Sequence, residues 1–252
     1  MARLFSLEIK RLHRSKVLWM SIGLVCLIGG LGAVLNQVFY SELNKSEILL
    51  FSLYNSYTQF TYLVLGVVFV NVFAKDFQNG VYAWIEQLGY PLYQVLLIKL
   101  ASIVLLVLPL INILFILVQV LYGKSDLSWF FECIYQVNVS VIYIILLALL
   151  LALVFKKVLS ATLVMYGLFM VFNGGNFICY GLFNPADGNS IGTYFVSKKV
   201  FENQTHYSIS KVMWSDEFMR ILANAMPVIW IAIWCLVIAL LMKRNTRGTK
   251  YD

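Results

Sequence analysis

Six stretches of this chain are apolar for long enough to cross a bilayer, and none of them contains an Asp, Glu, Lys or Arg. They occupy residues 17–39, 48–74, 100–122, 133–155, 158–183 and 221–242. About 20 consecutive apolar residues in a helix traverse the hydrocarbon core. The chain is therefore expected to be an all-α integral membrane protein with six transmembrane helices. Composition agrees, since 61% of residues are hydrophobic and 12% charged, whereas a soluble domain carries about 25% charge. The first run is too long for a signal-peptide core and no small-x-small cleavage site follows it, so it is expected to stay as a span.

The charge of +7 is unevenly placed. Arg3, Lys10, Arg11, Arg14 and Lys16 stand against Glu8 in the N-terminal arm, Lys156-Lys157 form a pair, and Lys243, Arg244, Arg247 and Lys250 crowd the C-terminal tail. With six spans all of these fall on one side. The opposite loops, with Glu42, Lys45, Glu47, Lys124, Asp126 and Glu132, are slightly acidic. The excess of lysine and arginine puts both termini in the cytoplasm. Basic residues dispersed over three segments of a membrane chain give no nucleic-acid surface.

Three regions follow. Residues 1–16 form an amphipathic interfacial helix, because Phe5, Ile9 and Leu12 repeat at helical spacing beside basic residues. Residues 17–242 form the six-span domain, including an outer loop at 184–220, and residues 243–252 a basic cytoplasmic tail. Within the domain, the connection between the second and third spans predicts a surface helix at 76–89. Asp76 can cap its start, Phe77, Val81, Trp84, Ile85 and Leu88 make one stripe, and Gly89 with Pro91 stops it. About three turns are expected, more than is needed to join two spans. Ser215 is expected to cap the last helix and Pro227 to kink it. Gly29 with Ala33, and Gly167 with Gly174, allow close helix approach.

Several chemistries are excluded. Gly123-Lys124-Ser125 ends like a phosphate-binding loop, but Val118 stands where the first glycine belongs. His13 and His206 are the only histidines and have no catalytic neighbours in sequence, and the four cysteines stand singly. No cofactor or metal site is expected. An ion-coupled carrier needs ionisable or cation-binding groups at depth. The polar residues inside the apolar runs are neutral, among them Thr58, Asn112, Gln119 and Asn138. Most should make interhelical hydrogen bonds; Gln59, Asn71, Asn173 and Asn176 are the candidates for lining a pathway. Energy for any transport must then come from a separate motor.

The stretch from Lys75-Asp76 through Gly80 and Tyr90-Pro91 to Lys99 resembles the cytoplasmic signature of type-2 permeases of bacterial ABC exporters. That family carries an acidic residue, a glycine four residues later, an amphipathic helix, a proline and a lysine at the head of the third span. Val81 after the glycine and Leu92-Tyr93 after the proline depart from its usual Ser/Thr and Ser-Arg. The resemblance implies a permease of the bacterial plasma membrane driven by a separate ABC ATPase, which would hold the ATP and Mg. It implies that Asp76, Phe77, Gly80, Tyr82, Trp84, Glu86 and Pro91 form the ATPase-coupling segment, with Trp84 as aromatic anchor and Glu86 as a polar contact. It implies also a dimer of two permease subunits, identical or paralogous, whose seam holds Gly29, Ala33, Gly167 and Gly174. Among relatives the chain is most similar to exporters of amphipathic or antimicrobial peptides, such as those for phenol-soluble modulins. A motor-independent channel or carrier, and a peptide-binding sensor or immunity protein, are the alternative readings.

Overall fold

Helices are the only regular structure among the described residues, as lipid demands of a backbone whose polar groups must be satisfied internally. The computed structural model describes residues 2–39, 45–122, 127–178 and 216–248. Most of the expected outer loop, with Ser215, lies outside them. The elements are α1 (Ala2–His13), α2 (Lys16–Phe39), α3 (Lys45–Phe60), one turn of π-helix (Thr61–Leu65), α4 (Gly66–Gln78), α5 (Val81–Gln87), α6 (Leu92–Tyr122), α7 (Leu127–Phe155), α8 (Val158–Ile178) and α9 (Asp216–Gly248).

Among the described residues, four helices are long and apolar enough to cross a membrane: Leu49–Gln78, Leu92–Leu121, Leu127–Phe155 and Asn224–Lys243. Arg3–His13 with Lys16–Gly32, bent by 61°, would make a fifth, and Val158–Phe172 is a shorter apolar helix. The helices outrun the apolar windows. Leu49–Gln78 takes in Lys75 and Asp76, and Leu92–Leu121 takes in Lys99. The expectation of spans free of ionisable groups is thereby corrected at one end of the bundle. Hydrogen bonding along a helix continues until a breaker intervenes, and none stands between Gly66 and Gly80. By the same logic α9 runs on to Gly248, so the first part of the expected tail is helical.

α7 is the centre of the bundle. Of its apolar window 83% is buried, against 11% for Asn224–Lys243, and α3, α4, α6, α8 and α9 all pack on it. Its leucine-rich run, Ile144 to Leu153, is buried on every side, which is how a helix apolar all round behaves. Neutral polar side chains tie neighbours to it. Asn112 Nδ2 donates to Asn138 Oδ1 at 3.0 Å, and Gln136 Nε2 donates to Asn224 Oδ1 at 3.1 Å.

The corner between α1 and α2 is locked. Leu18 N–H donates to Ser15 Oγ at 3.4 Å, and Trp19 Nε1 donates to the His13 carbonyl at 2.7 Å. α1 therefore turns away from α2 and packs on α6. Leu12 is buried there, while Arg3, Lys10 and Arg14 stay exposed, the division of faces expected of an interfacial helix.

Candidate functional site

At the end of the bundle where α1, α4, α5 and α6 meet, the chain gathers charged side chains that are far apart in sequence. α4 does not stop before Asp76; it runs to Gln78, so Asp76 and Phe77 sit in its last turn. This corrects the expectation that Asp76 caps the surface helix. Its side chain is almost fully buried and faces two cations instead. Lys99, about two turns into α6 and fully buried, donates to Asp76 Oδ2 and to the Val72 carbonyl. Arg11 of α1 donates through Nη2 to both carboxylate oxygens at 2.8 Å. Glu8, one turn earlier on α1, pairs with Arg11 Nη1 at 3.3 Å.

Tyr82 closes the group from α5. Its hydroxyl accepts from Lys99 Nζ at 3.2 Å. Its ring lies 4.4 Å from that of Phe77, centroid to centroid. Lys99 Nζ stands 5.4 Å from the Tyr82 ring and 5.6 Å from the Phe73 ring, within reach of the cation–π attraction. Burial holds the Tyr82 phenol well above its usual pKa, with the Asp76 charge adding to the effect, so Tyr82 serves as a neutral hydroxyl. Two cations thus meet two carboxylates. A buried ion costs several kcal/mol to desolvate, and only close, hydrogen-bonded partners offset that.

The surface helix is shorter than expected. α5 covers two turns, Val81–Gln87, and starts from Gly80 at φ 69°. Glycine is needed here because a side chain disfavours the left-handed region. At the other end Gly89 has φ 87°. Its N–H donates to the Glu86 carbonyl at 2.9 Å and the Tyr90 N–H to the Ile85 carbonyl at 3.3 Å, the paired closure of a Schellman motif. Pro91 then opens α6, its carbonyl accepting from Gln94 N–H at 3.0 Å. The expected stripe divides. Val81 and Ile85 are half-buried, whereas Trp84 is 60% exposed and Leu88 56%. Glu86 is exposed too.

The remaining expected site residues are scattered. Gly29 faces α3 of the same chain, where an added Cβ would meet Leu53 Cδ2 at 3.2 Å, while Gly23, Gly30 and Gly167 have open space beside them. Asn71 is half-buried on α4. The surroundings of Ala33, Gly174, Gln59, Asn173 and Asn176 lie outside the described ones.

Sequence reasoning placed Lys99 at the head of a span and Arg11 among the basic residues of the interfacial helix. It missed that Asp76 joins them. A signal existed, in opposite charges flanking a helical hairpin at equal depth. Nothing in one sequence marked the 65-residue link from Arg11 to Asp76. The π-turn was missed as well. It is closed by Gly66 N–H donating to the Thr61 carbonyl.

No curated protein and no solved structure matches the chain. A family model, that of the peptide export permease protein YydJ family, matches residues 5–249. That is nearly all of the 252 residues, and the chain belongs to this family of peptide export permeases.

Proposed function

We propose that the chain is the membrane subunit of an ATP-driven peptide exporter, with α5 as the seat of a separate ABC ATPase. The arrangement of α5 carries this reading. Left-handed glycines at both ends set a short helix off the bundle, and its outer face offers Trp84, Leu88 and Glu86. Its inner face is rooted through Tyr82 in the buried charges. A rim of aromatic and acidic side chains suits a protein partner. Two turns of helix are a weak lever alone; the charge cluster supplies the stiffness. ATP-driven closure of the partner would push α5, and Tyr82 and Asp76 would pass the displacement to α6 through Lys99 and to α1 through Arg11.

In this reading the chain crosses the plasma membrane six times with both termini in the cytoplasm, and two permease subunits enclose the pathway. ATP and Mg stay with the partner. The open faces at Gly23 and Gly30 favour α2 as the seam between subunits, while Gly29 serves packing inside one subunit. An interior rich in Phe, Tyr and Leu suits an amphipathic peptide as cargo.

The test is the purified permease–ATPase complex in lipid. Trp84→Ala with Glu86→Ala should abolish co-purification of the ATPase or its stimulation by the permease. Unchanged ATPase behaviour would remove the coupling mechanism. Peptide release from vesicles holding the permease alone would establish a motor-free channel instead.

A further inference from the structure

Beside the charge cluster, at the same end of the bundle, a cleft of about 660 Å³ opens between the end of α4 and the start of α8. Gln78, Lys157, Val158, Leu159, Ser160 and Thr162 line it. Lys157 carries the only formal charge among them. Lys156 beside it is held at φ 52°, its N–H donating to the Ala152 carbonyl at 3.0 Å to end α7. Glycine would sit there with less strain, and with Lys156 in its place the turn carries a second cation.

The start of α8 adds to the pull on an anion. The first turn of a helix presents N–H groups with no acceptor a turn earlier, and the helix dipole places partial positive charge there. One of these groups is occupied, since Val158 N–H donates to Gln78 Oε1 at 3.4 Å. An independent observation lies deeper in the cleft, where Thr162 Oγ1 is buried with no hydrogen-bond partner.

The other half of the argument is apolar. Leu159, on the lip of the cleft, begins a stripe continued by Leu163, Tyr166 and Met170 at helical spacing, all of them exposed. The mouth of the cleft is thus continuous with a face that no other part of the described chain covers. A soluble partner's acidic side chain would use the basic lip and leave the stripe idle. A glycerophospholipid would use both.

We propose that this cleft binds one anionic phospholipid, its phosphate held by Lys157, Ser160 and the first turn of α8, with an acyl chain along Leu159, Leu163, Tyr166 and Met170. The inference rests on α8 lying in the membrane and does not depend on export. Basic pockets at the cytoplasmic ends of membrane helices are general headgroup sites.

Native mass spectrometry of the purified chain, titrated with phosphatidylglycerol and with phosphatidylcholine of the same acyl chains, tests it. One phosphatidylglycerol should be retained, with about fivefold preference over phosphatidylcholine from the lysine alone. Lys157→Ala with Ser160→Ala should remove that retained lipid, whereas Lys10→Ala, on the exposed face of α1, should leave it. Equal retention of the two lipids, or a retained lipid indifferent to the double substitution, overturns the proposal. Displacement by inorganic phosphate alone would make the cleft a free-anion site. Displacement by the ATPase would make it a protein seat. Either result also overturns the lipid assignment.

Discussion

The helical run Leu49–Gln78 carries two polar regions that differ in how their groups are satisfied. At its end, Asp76 meets Lys99, Arg11 and Tyr82, and every charge has an opposite charge beside it. Fifteen residues earlier, about 22 Å along a helix, lies the π-turn. There Thr61 Oγ1 and Tyr62 Oη are buried with no hydrogen-bond partner, and the nearby Tyr143 hydroxyl has only the Trp234 indole N–H beside it. The turn's own irregularity is met in part, since Tyr166 Oη donates to the Leu63 carbonyl at 3.3 Å. Ring contacts occupy the rest: Tyr62 with Phe169 at 4.9 Å, and Tyr143 with Trp234 at 6.2 Å. One region is held by directional, charged bonds. The other is held by shape. A joint of the first kind transmits displacement, while one of the second can yield to it, and π-bulges recur at functional positions in helices.

The largest expected effect breaks the first region. Asp76→Ala leaves Lys99 buried without its counter-ion, and losing one member of a buried pair costs about 3–5 kcal/mol. The variant should fail to yield monodisperse protein in detergent, or unfold well below the wild type. An Asp76→Ala chain as stable as the wild type would show that the cluster is not desolvated and would end the comparison. Asp76→Asn combined with Lys99→Met removes both charges, so it should recover most of the lost stability, because replacing a buried pair by neutral groups is often tolerated. The same double variant should lose stimulation of the ATPase. Recovery of folding without recovery of coupling would separate the structural role of the cluster from its role in transmission.

A smaller effect is expected at Arg11, whose side chain is 44% exposed. Solvent screens it, and such pairs contribute about 0–1 kcal/mol. Arg11→Ala should leave the bundle folded while raising amide hydrogen exchange in α1. Exchange unchanged along α1 would mean that its hold on α6 is apolar, through Leu12, and that Asp76 does not tether it.

How much of this could be read in the sequence follows from the range of each interaction. Apolar runs and turn residues act locally, so the apolar helices, the left-handed Gly89 and the stop at Pro91 were legible. Helix ends at 75–78 were misplaced because hydropathy falls before the helix does: Lys75 and Asp76 look like loop but continue α4. Tyr82 looked like an off-stripe surface residue because the stripe was drawn for a helix starting at Phe77. With α5 beginning at Val81, the face toward the bundle shifts and Tyr82 enters it. The pairing of Arg11, Asp76 and Lys99 joins three helices, and one chain without relatives to compare carries no record of such contacts. The π-turn had no mark at all, since Thr61–Leu65 reads as ordinary apolar helix.

The second region gives the opposite sign of prediction and the smallest effect. An unsatisfied buried hydroxyl costs about 1–3 kcal/mol, so removing it should not destabilise the protein. Tyr62→Phe keeps the ring that packs on Phe169, Thr61→Val keeps the branched shape of the side chain, and each removes only the unpartnered hydroxyl. Each should melt at or a few degrees above the wild type, about 1 kcal/mol or less more stable, in a thermal scan in nanodiscs. A clear loss of stability would mean that these hydroxyls have partners in the membrane, and the two regions would then be alike. If instead stability is kept while peptide-stimulated ATPase activity falls, the hydroxyls find their partners only in another conformation of the cycle. The π-turn would then be where span and peptide adjust to each other, since a group left unpaired in one state stabilises the state that pairs it.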